Sequence, residues 1–322
     1  MMSRRLLRIK TLKLLFSNAG SEELSLATAE NDLLTSIQKT YDLYHFLLSA
    51  IIPVADHAEE RINVGLQKYR PTQEEAHPNR KLVQNELIDI IRRNRALRQY
   101  NEQHCLSWGG DNRNIIFDIY ARMTENEYYK TYMSSEEHSY EEDRKFLKRF
   151  FMHEFEDNQL LENMLEEQSV WWVDDVGYAL GSVLRTLEKF VPGQSPDEPL
   201  SEARRSRYDE EFALRLMRHS LNHYFKYWNM AMQFVQNWEA DRVAAMDMAL
   251  IVQGFSEAVE FPEIPIKVTI NEHVEIAKFY STLNSHAFVN GVLDRMIQHG
   301  LVDGTIQKEG RGLVTDTVIH RK

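Results

Sequence analysis

The sequence predicts an all-α protein, and three observations carry that reading. Amphipathic stretches with helical spacing recur along the whole chain. Gly and Pro number only 13 and 8 in 322 residues, and runs of β-branched residues are few. A hydrophobic content of 43% is enough to fill the core of one large domain or two ordinary ones. The longest apolar run, "FLLSAIIPVA" at 46–55, is about half a membrane span and carries a proline, so it reads as a buried helix. The lone Cys105 excludes an internal disulfide and a cysteine-built zinc site, and it suits a reducing cytoplasm.

The first element is a basic helix. Its opening sixteen residues hold Arg4, Arg5, Arg8, Lys10 and Lys13 and no acid, while Leu7, Thr11 and Leu14 fall at i, i+4, i+7 and give it a packing face. A secretory signal is excluded because Lys10 and Lys13 interrupt the apolar segment. An organellar transit peptide would be longer and richer in Ser. What remains is a structural helix, either with a solvated basic end or with cations set for phosphate contacts. The net charge of −11 is the wrong sign for a protein that coats nucleic acid along its length. The opposite pole is residues 154–175, with eight acids and no Lys or Arg.

Punctuation divides the rest. "SNAGSEE" at 17–23 ends the first helix, "YRPTQEEAHPN" at 69–79 reads as a loop, and "PGQSPDEPLS" at 192–201 is the strongest linker signal. The acid-rich stretch 125–143 reads as an exposed connection, and the chain from Gly300 onward as a flexible tail. Phe146, Arg149, His153, Trp172, Asp175 and Leu184 recur 66 residues later as Phe212, Arg215, His219, Trp238, Asp241 and Leu250. Trp108 and Asp111 repeat the W-x-x-D spacing once more. Either the chain holds an internal helical repeat, or biased helical sequence produces the matches by coincidence.

Catalytic motifs are scarce. His219 and His223 are four apart, as in a helical zinc pair, but the glutamate of H-E-x-x-H is missing. "DLYH" at 42–45 has no matching Glu-x-x-His to complete a di-iron site. There is no phosphate loop, no G-x-S-x-G and no glycine-rich dinucleotide turn. These absences predict no catalytic residue, no metal and no cofactor. "EEQSVWWVDD" at 166–175 reads as core tryptophans flanked by solvated acids, with a docking surface for a basic partner as the alternative.

The last helical elements are the most legible. Pro262 and Pro265 keep "FPEIP" extended. Thr269 and Glu272 form a capping-box spacing, which predicts a helix from about Asn271 with Ile270, Val274 and Ala277 as its buried stripe. "LNSH" ends that helix and offers Ser285 as the next N-cap. Phe288, Val292 and Met296 align beyond it, and Gly291 predicts a close helix approach.

This segment, "IPIKVTINEHVEIAKFYSTLNSHAFVNGVLDRM", resembles the most characteristic stretch of the NusB family of transcription antitermination factors. The matching positions are Pro265, Lys267, Val268, Ile270, Asn271, Glu272, Val274, Glu275, Ala277 and Lys278, then Phe288 through Asp294. "NWEADRVAAMDMALI" at 237–251 and "SRRLLRIKTLKLLFS" at 3–17 are similar to a second helix start and to the arginine-rich first helix of the family. The resemblance covers residues 3–17 and about 205–297, and nearly 190 residues between them have no counterpart in a compact member. It implies NusB-like helical bundles enlarged by inserted helical units, which the spacing above allows to be repeats. The parts are a basic N-terminal helix at 1–20, an insert at 21–200, a C-terminal NusB-like domain at 201–299 and a tail at 300–322.

The resemblance also implies a role without catalysis: binding of boxA-type RNA in ribosomal RNA transcripts together with the ribosomal protein NusE, within the transcription elongation complex and away from membranes. Arg4, Arg5, Arg8, Lys10 and Lys13 and the loop positions Ser285, His286 and Phe288 are the implied RNA contacts, with Phe288 expected to stack on a base. The chain departs from the family at Leu6, where another basic residue is common, and at Asn284, where an acid is common. Two other classes remain. One is a helical scaffold for ribosome assembly with little RNA contact. The other is an RNA methyltransferase with a NusB-like domain, which the C-terminal position of the segment and the lack of a cofactor loop near Cys105 disfavour.

Overall fold

The computed structural model describes residues 2–18, 26–200, 202, 206–235 and 244–313, and among them no strand is formed. In chain order the α-helices are α1 (Arg4–Asn18), α2 (Leu26–Ser49), α3 (Ile51–Leu66), the single turn α4 (Gln73–Ala76), α5 (Glu86–Arg93), α6 (Arg95–Gln103), α7 (Arg113–Glu125) and α8 (Glu127–Ser134). They continue as α9 (Tyr140–Glu154), α10 (Gln159–Gln168), α11 (Val176–Lys189), α12 (Arg207–Asn222), α13 (Tyr224–Phe234), α14 (Ala245–Glu260), α15 (Ile266–Tyr280) and α16 (Ser285–Val302). None of the described helices is long and apolar enough to cross a membrane.

Two compact units result: residues 1–37 with 205–322, here the terminal unit, and residues 38–204, the central unit. The boundary falls inside α2. Charge is divided unequally between them. The central unit has 20 Lys and Arg against 30 Asp and Glu, a net −10, whereas the terminal unit has 18 against 19, a net −1.

The terminal unit is built around α14. Every residue from Asp247 to Ala258 is buried, as expected of a helix that is largely apolar on all sides. Tyr227, Ile276, Val289, Leu293 and Ile297 surround it within one core. Close packing depends on Gly254, where an added Cβ would stand 2.7 Å from Leu293 and 3.2 Å from His273. Gly291, expected to serve that purpose, is exposed with open space around it. It lies one helical step off the stripe of Phe288, Val292 and Met296, all of which are buried.

α15 starts one turn earlier than the capping-box spacing predicts, with Pro265 at the cap. Both members of the expected box have tertiary partners instead: the Thr269 hydroxyl donates to Glu257 at 2.8 Å, and Glu272 accepts from Arg5. The buried stripe accordingly runs through Ile266, Thr269, His273, Ile276 and Ala277, with Ile270 half-buried. The chain after Gly300 is not a loose tail through Leu313. Ile306 is buried, and the Lys308 ammonium donates to the carbonyls of Ala258 and Phe261.

In the central unit Phe46 is the hub. Trp108 stacks on it at 4.0 Å between ring centres and Trp172 at 5.4 Å. Each indole N–H reaches a backbone carbonyl of α2 at 2.8 Å, Phe46 for Trp108 and Lys39 for Trp172. Asp175 begins α11 without capping it, because its carboxylate accepts from the Thr40 hydroxyl at 2.5 Å. The expected connection at 125–143 contains α8, held by buried Tyr128 and Tyr132, whose hydroxyls donate to Glu154 and Asp143. Glu127 is the one acid within α8, and the acids that make the stretch read as a polar linker lie on either side of it. The order of a long helix, a shorter one and a third helix occurs in both α9–α11 and α12–α14. Trp238, Asp241 and the Asp111 side chain, which the repeat invokes, lie outside the described residues.

Burial of one histidine predicts a loss of stability of the central unit in acid. His45 is stacked on Tyr100 at 3.6 Å, and its Nδ1 lies 2.7 Å from the Tyr41 carbonyl. Burial pushes its imidazole down to about 4, against opposing effects of the Tyr41 carbonyl and Asp42. The unfolded chain therefore takes up a proton below about pH 6.5 that the folded unit refuses until about pH 4. Stability contributed by neutral His45 is complete above that window and is lost downward through it, by about 3 kcal/mol in full. Urea midpoints followed by tryptophan fluorescence should fall between pH 7 and 5, and His45→Gln should flatten the fall. An equally steep profile in the variant would assign the sensitivity to other groups.

Candidate nucleic-acid interface

The site begins with how α1 is seated. Ser3 caps it, its hydroxyl accepting from Leu6 N at 3.2 Å. Leu6, Leu7, Leu12, Leu14 and Leu15 are buried, and so is Arg8 among them. The Arg8 guanidinium makes a two-pronged pair with Glu257 of α14 at 2.6 and 2.9 Å. Glu272 of α15 adds a longer contact at 3.6 Å, and Gln253 donates to the Arg8 carbonyl. Burial would raise the Glu257 carboxyl, but Arg8, His273 and the Thr269 hydroxyl outweigh it and hold it below the usual range. His273, fully enclosed, donates from Nδ1 to the Thr269 carbonyl at 2.8 Å, and burial pushes its imidazole down. Its Nε2 has no hydrogen-bond partner among the described residues.

One turn earlier, Arg5 forms a second two-pronged pair, with Glu272 at 2.9 and 2.7 Å, but this one is at the surface and the Arg5 side chain stays 49% exposed. Hydrogen bonding to Arg5 holds Glu272 low, and the same bond raises Arg5. Arg4 is exposed, lies over the Phe212 ring at 4.8 Å and makes no ion pair with any described residue. Arg4, Arg5 and Arg8 line a groove of about 740 Å³ with Glu263, Pro265, Val268 and Arg311.

The expected cations therefore have different fates. Arg4 and Arg5 face solvent. Arg8 is a core residue whose charge is spent on Glu257, so it is not available to phosphate. Lys10 is also buried, with its ammonium 3.0 Å from the Ser36 hydroxyl. Lys13 is half-buried, 5.4 Å from the centre of the Tyr280 ring. Helical periodicity places a residue on a face but does not say that the face will be covered, and the rest of the terminal unit covers this one.

The pairs Arg5–Glu272, Arg8–Glu272 and Lys13–Tyr280 ascend together, so α1 and α15 run side by side in the same direction. The loop follows the end of α15, where Tyr280 meets Lys13, a residue about 12 Å along α1 from Arg5. Ser285 is buried and is the first residue of α16 behind the cap position of Asn284. Its hydroxyl accepts from Thr282 N and donates to Asp247, which also accepts from Ser281. This seryl–aspartate knot gives Ser285 a structural task. His286 is half-exposed, its Nδ1 3.0 Å from the Leu283 carbonyl.

The structure corrects the reading of Phe288. It is 5% exposed and lies in the core of the terminal unit, so it presents no free ring face to a base. The exposed aromatic beside the loop is Phe279, at 79%, and Leu283 is 93% exposed. Sequence spacing singles out neither. The signal is present in the stripe itself: with Ile276, Ala277 and Tyr280 facing inward, Phe279 must point outward.

The remaining candidates for chemistry are engaged in structural contacts. His219 bridges Glu260 and the Tyr227 hydroxyl and stacks on His223 at 4.3 Å. Asp42 accepts from Tyr100 at 2.9 Å. Among the described residues no group of three or more His, Cys, Asp or Glu side chains could hold a metal ion.

The Arg8–Glu257 pair yields a test of its own. Arg8→Met should destabilise the terminal unit by about 3–5 kcal/mol, because Glu257 is left charged and buried. Adding Glu257→Leu should restore most of that loss in chemical denaturation. A double variant as unstable as the single one would mean that the charge itself, and not its compensation, holds the helices together.

The family match falls mainly on this same unit. A model of the NusB family matches residues 186–298. The transcription antitermination protein NusB of Salinibacter ruber is 38% identical over 112 residues, which are 34% of this chain and 70% of that protein. The proteins of the same name from Chloroherpeton thalassium and Methylacidiphilum infernorum are 45% identical over 78 residues and 46% identical over 65. These stretches are 24% and 20% of this chain, and 37% and 46% of the two relatives. No solved structure matches the chain. With more than two thirds of the Salinibacter protein covered at that identity, this all-helical chain belongs to the NusB family.

Proposed function

We propose that the protein is a transcription antitermination factor that binds boxA-type RNA of ribosomal RNA transcripts together with the ribosomal protein NusE. It would act in the cytoplasm as part of the transcription elongation complex, by binding and not by catalysis. The observation that carries this reading is the α1–α15 ridge, with solvent-facing Arg4 and Arg5 at one end and exposed Phe279 with His286 at the other. Cations for phosphate and a free aromatic ring are what single-stranded RNA requires. The name shared by the relatives supports the transcriptional role. The terminal unit, at −1, is the half of the chain whose charge permits RNA contact.

The central unit favours a second reading. Its net −10 repels RNA, and it suits a helical scaffold in ribosome assembly that touches RNA little. One set of titrations separates the two. Binding of a single-stranded boxA-like RNA, alone and with NusE, is measured by anisotropy at two salt concentrations. The antitermination reading expects salt-dependent binding strengthened by NusE. Arg4→Ala with Arg5→Ala should reduce the salt slope by about 1.4, at about 0.7 for each lost phosphate contact. Phe279→Ala should weaken binding about tenfold, which corresponds to one lost stacking contact. Unchanged affinity and slope in both variants would leave the scaffold reading standing.

A further inference from the structure

The family match ends at residue 298, but the fold of the terminal unit does not. α16 continues to Val302, and the chain then turns back across the end of α14. Four contacts fix that return. Ile306 is buried against Gly300, and its N–H donates to the Gly300 carbonyl at 2.8 Å. The Lys308 ammonium donates to carbonyls at the end of α14, from Ala258 and Phe261, at 2.8 and 3.0 Å, where the helix dipole favours a cation. Glu309 N donates to the Pro262 carbonyl at 3.1 Å. Gly312 lies so close to that same carbonyl that an added Cβ would stand 2.2 Å from it, so only glycine permits this path. Between Glu309 and Gly312 the chain presents Arg311, exposed, without an ion pair to any described residue, and lining the groove of Arg4 and Arg5.

Charge makes this placement consequential. Arg5 is matched by Glu272 and Arg8 by Glu257, while Glu263 lines the same groove as Arg4 without pairing with it. Counted over the groove lining and the Glu257 behind it, four arginines stand against three carboxylates, so Arg311 supplies the formal excess of positive charge.

We propose that residues 303–313 form a fixed strap that adds Arg311 to the groove as a phosphate-contacting residue, so that single-stranded RNA is gripped between α1 and the strap. The proposal rests on the RNA-binding reading above and adds to it a residue outside the family match. The strap is built in advance of binding: its backbone is hydrogen-bonded to Gly300 of α16 and to Pro262 just beyond α14. A phosphodiester entering the groove would meet Arg311 together with Arg4 and Arg5.

The test uses the full chain and a single-stranded boxA-like RNA, with anisotropy titrations across several salt concentrations. Arg311→Gln should weaken binding three- to tenfold and lower the salt slope by about 0.7, the value for one phosphate contact on a single strand. Its melting temperature should stay as in the unaltered protein, since the side chain is exposed. Gly312→Ala keeps every cation but displaces the strap, and it should weaken binding as well. Lys226→Gln, which removes an exposed cation on α13, is the control and should change little. Wild-type affinity and slope in Arg311→Gln, with binding still weakened by Arg4→Ala and Arg5→Ala, would overturn the strap and leave the RNA-binding reading intact. Equal weakening by Arg311→Gln and Lys226→Gln would also overturn it, as a general charge effect. Indifference to all of these substitutions would overturn the strap and the RNA-binding groove together.

Discussion

The terminal unit depends on one buried ion pair. Arg8 and Glu257 remove a guanidinium and a carboxylate from water, a desolvation that attraction between them only offsets when geometry and hydrogen bonding are good. Both conditions hold: two short N–H···O contacts join them, and Thr269 supplies a third donor to the carboxylate. The pair therefore ties α1, α14 and α15 to one relative position. A slip of α1 by one residue would swing Arg8 out by about 100° and leave Glu257 charged in the core. Such a pair adds little net stability over apolar residues of similar size, but any register that parts its members leaves a buried charge uncompensated. Arg4 and Arg5 lie on the same side of α1 one turn nearer its start, and they reach solvent because they stand at the exposed end of the helix.

That constraint explains which parts of the site were legible in the sequence. Helix class followed from spacing, and Leu7, Thr11 and Leu14 do form a packing face, as Phe288, Val292 and Met296 do. Local patterns misled wherever a side chain had a distant partner. Thr269 and Glu272 have the spacing of a capping box, yet their oxygens serve Glu257 and Arg5, which lie outside that local window. Gly291 is a glycine on a helix, but the close approach occurs at Gly254, which only the position of Leu293 and His273 reveals. Arg8 and Lys10 count as surface charge in composition and as core residues in the fold. Burial of a charge is a tertiary fact, and no local window contains it.

The central unit is held by a different device. Its aromatic stack of Phe46, Trp108 and Trp172 is anchored by indole hydrogen bonds to the backbone of α2, so each tryptophan ring is both packed and oriented. Within "EEQSVWWVDD", Trp172 is a core residue as the sequence suggests, but Asp175 turns inward to Thr40. Glu154, which composition places in the acidic pole, is likewise buried and accepts from Tyr128 and Asn126. An acidic count along the chain overstates the acidic surface for the same reason that a basic count at the N-terminus overstates the basic one.

Compensation on this scale limits how the terminal unit could attract an anionic ligand. Its net charge of −1 produces no strong long-range field, and opposite charges close to one another cancel beyond a Debye length of about 8–10 Å. Recognition at the α1–α15 ridge must then come from contacts made at short range, where individual guanidiniums and rings act before their counterions screen them. Arg5 can leave Glu272 at small cost because that pair is exposed, whereas Arg8 cannot leave Glu257. The two arginines are three residues apart and chemically identical, and burial alone assigns one to the scaffold and the other to the surface.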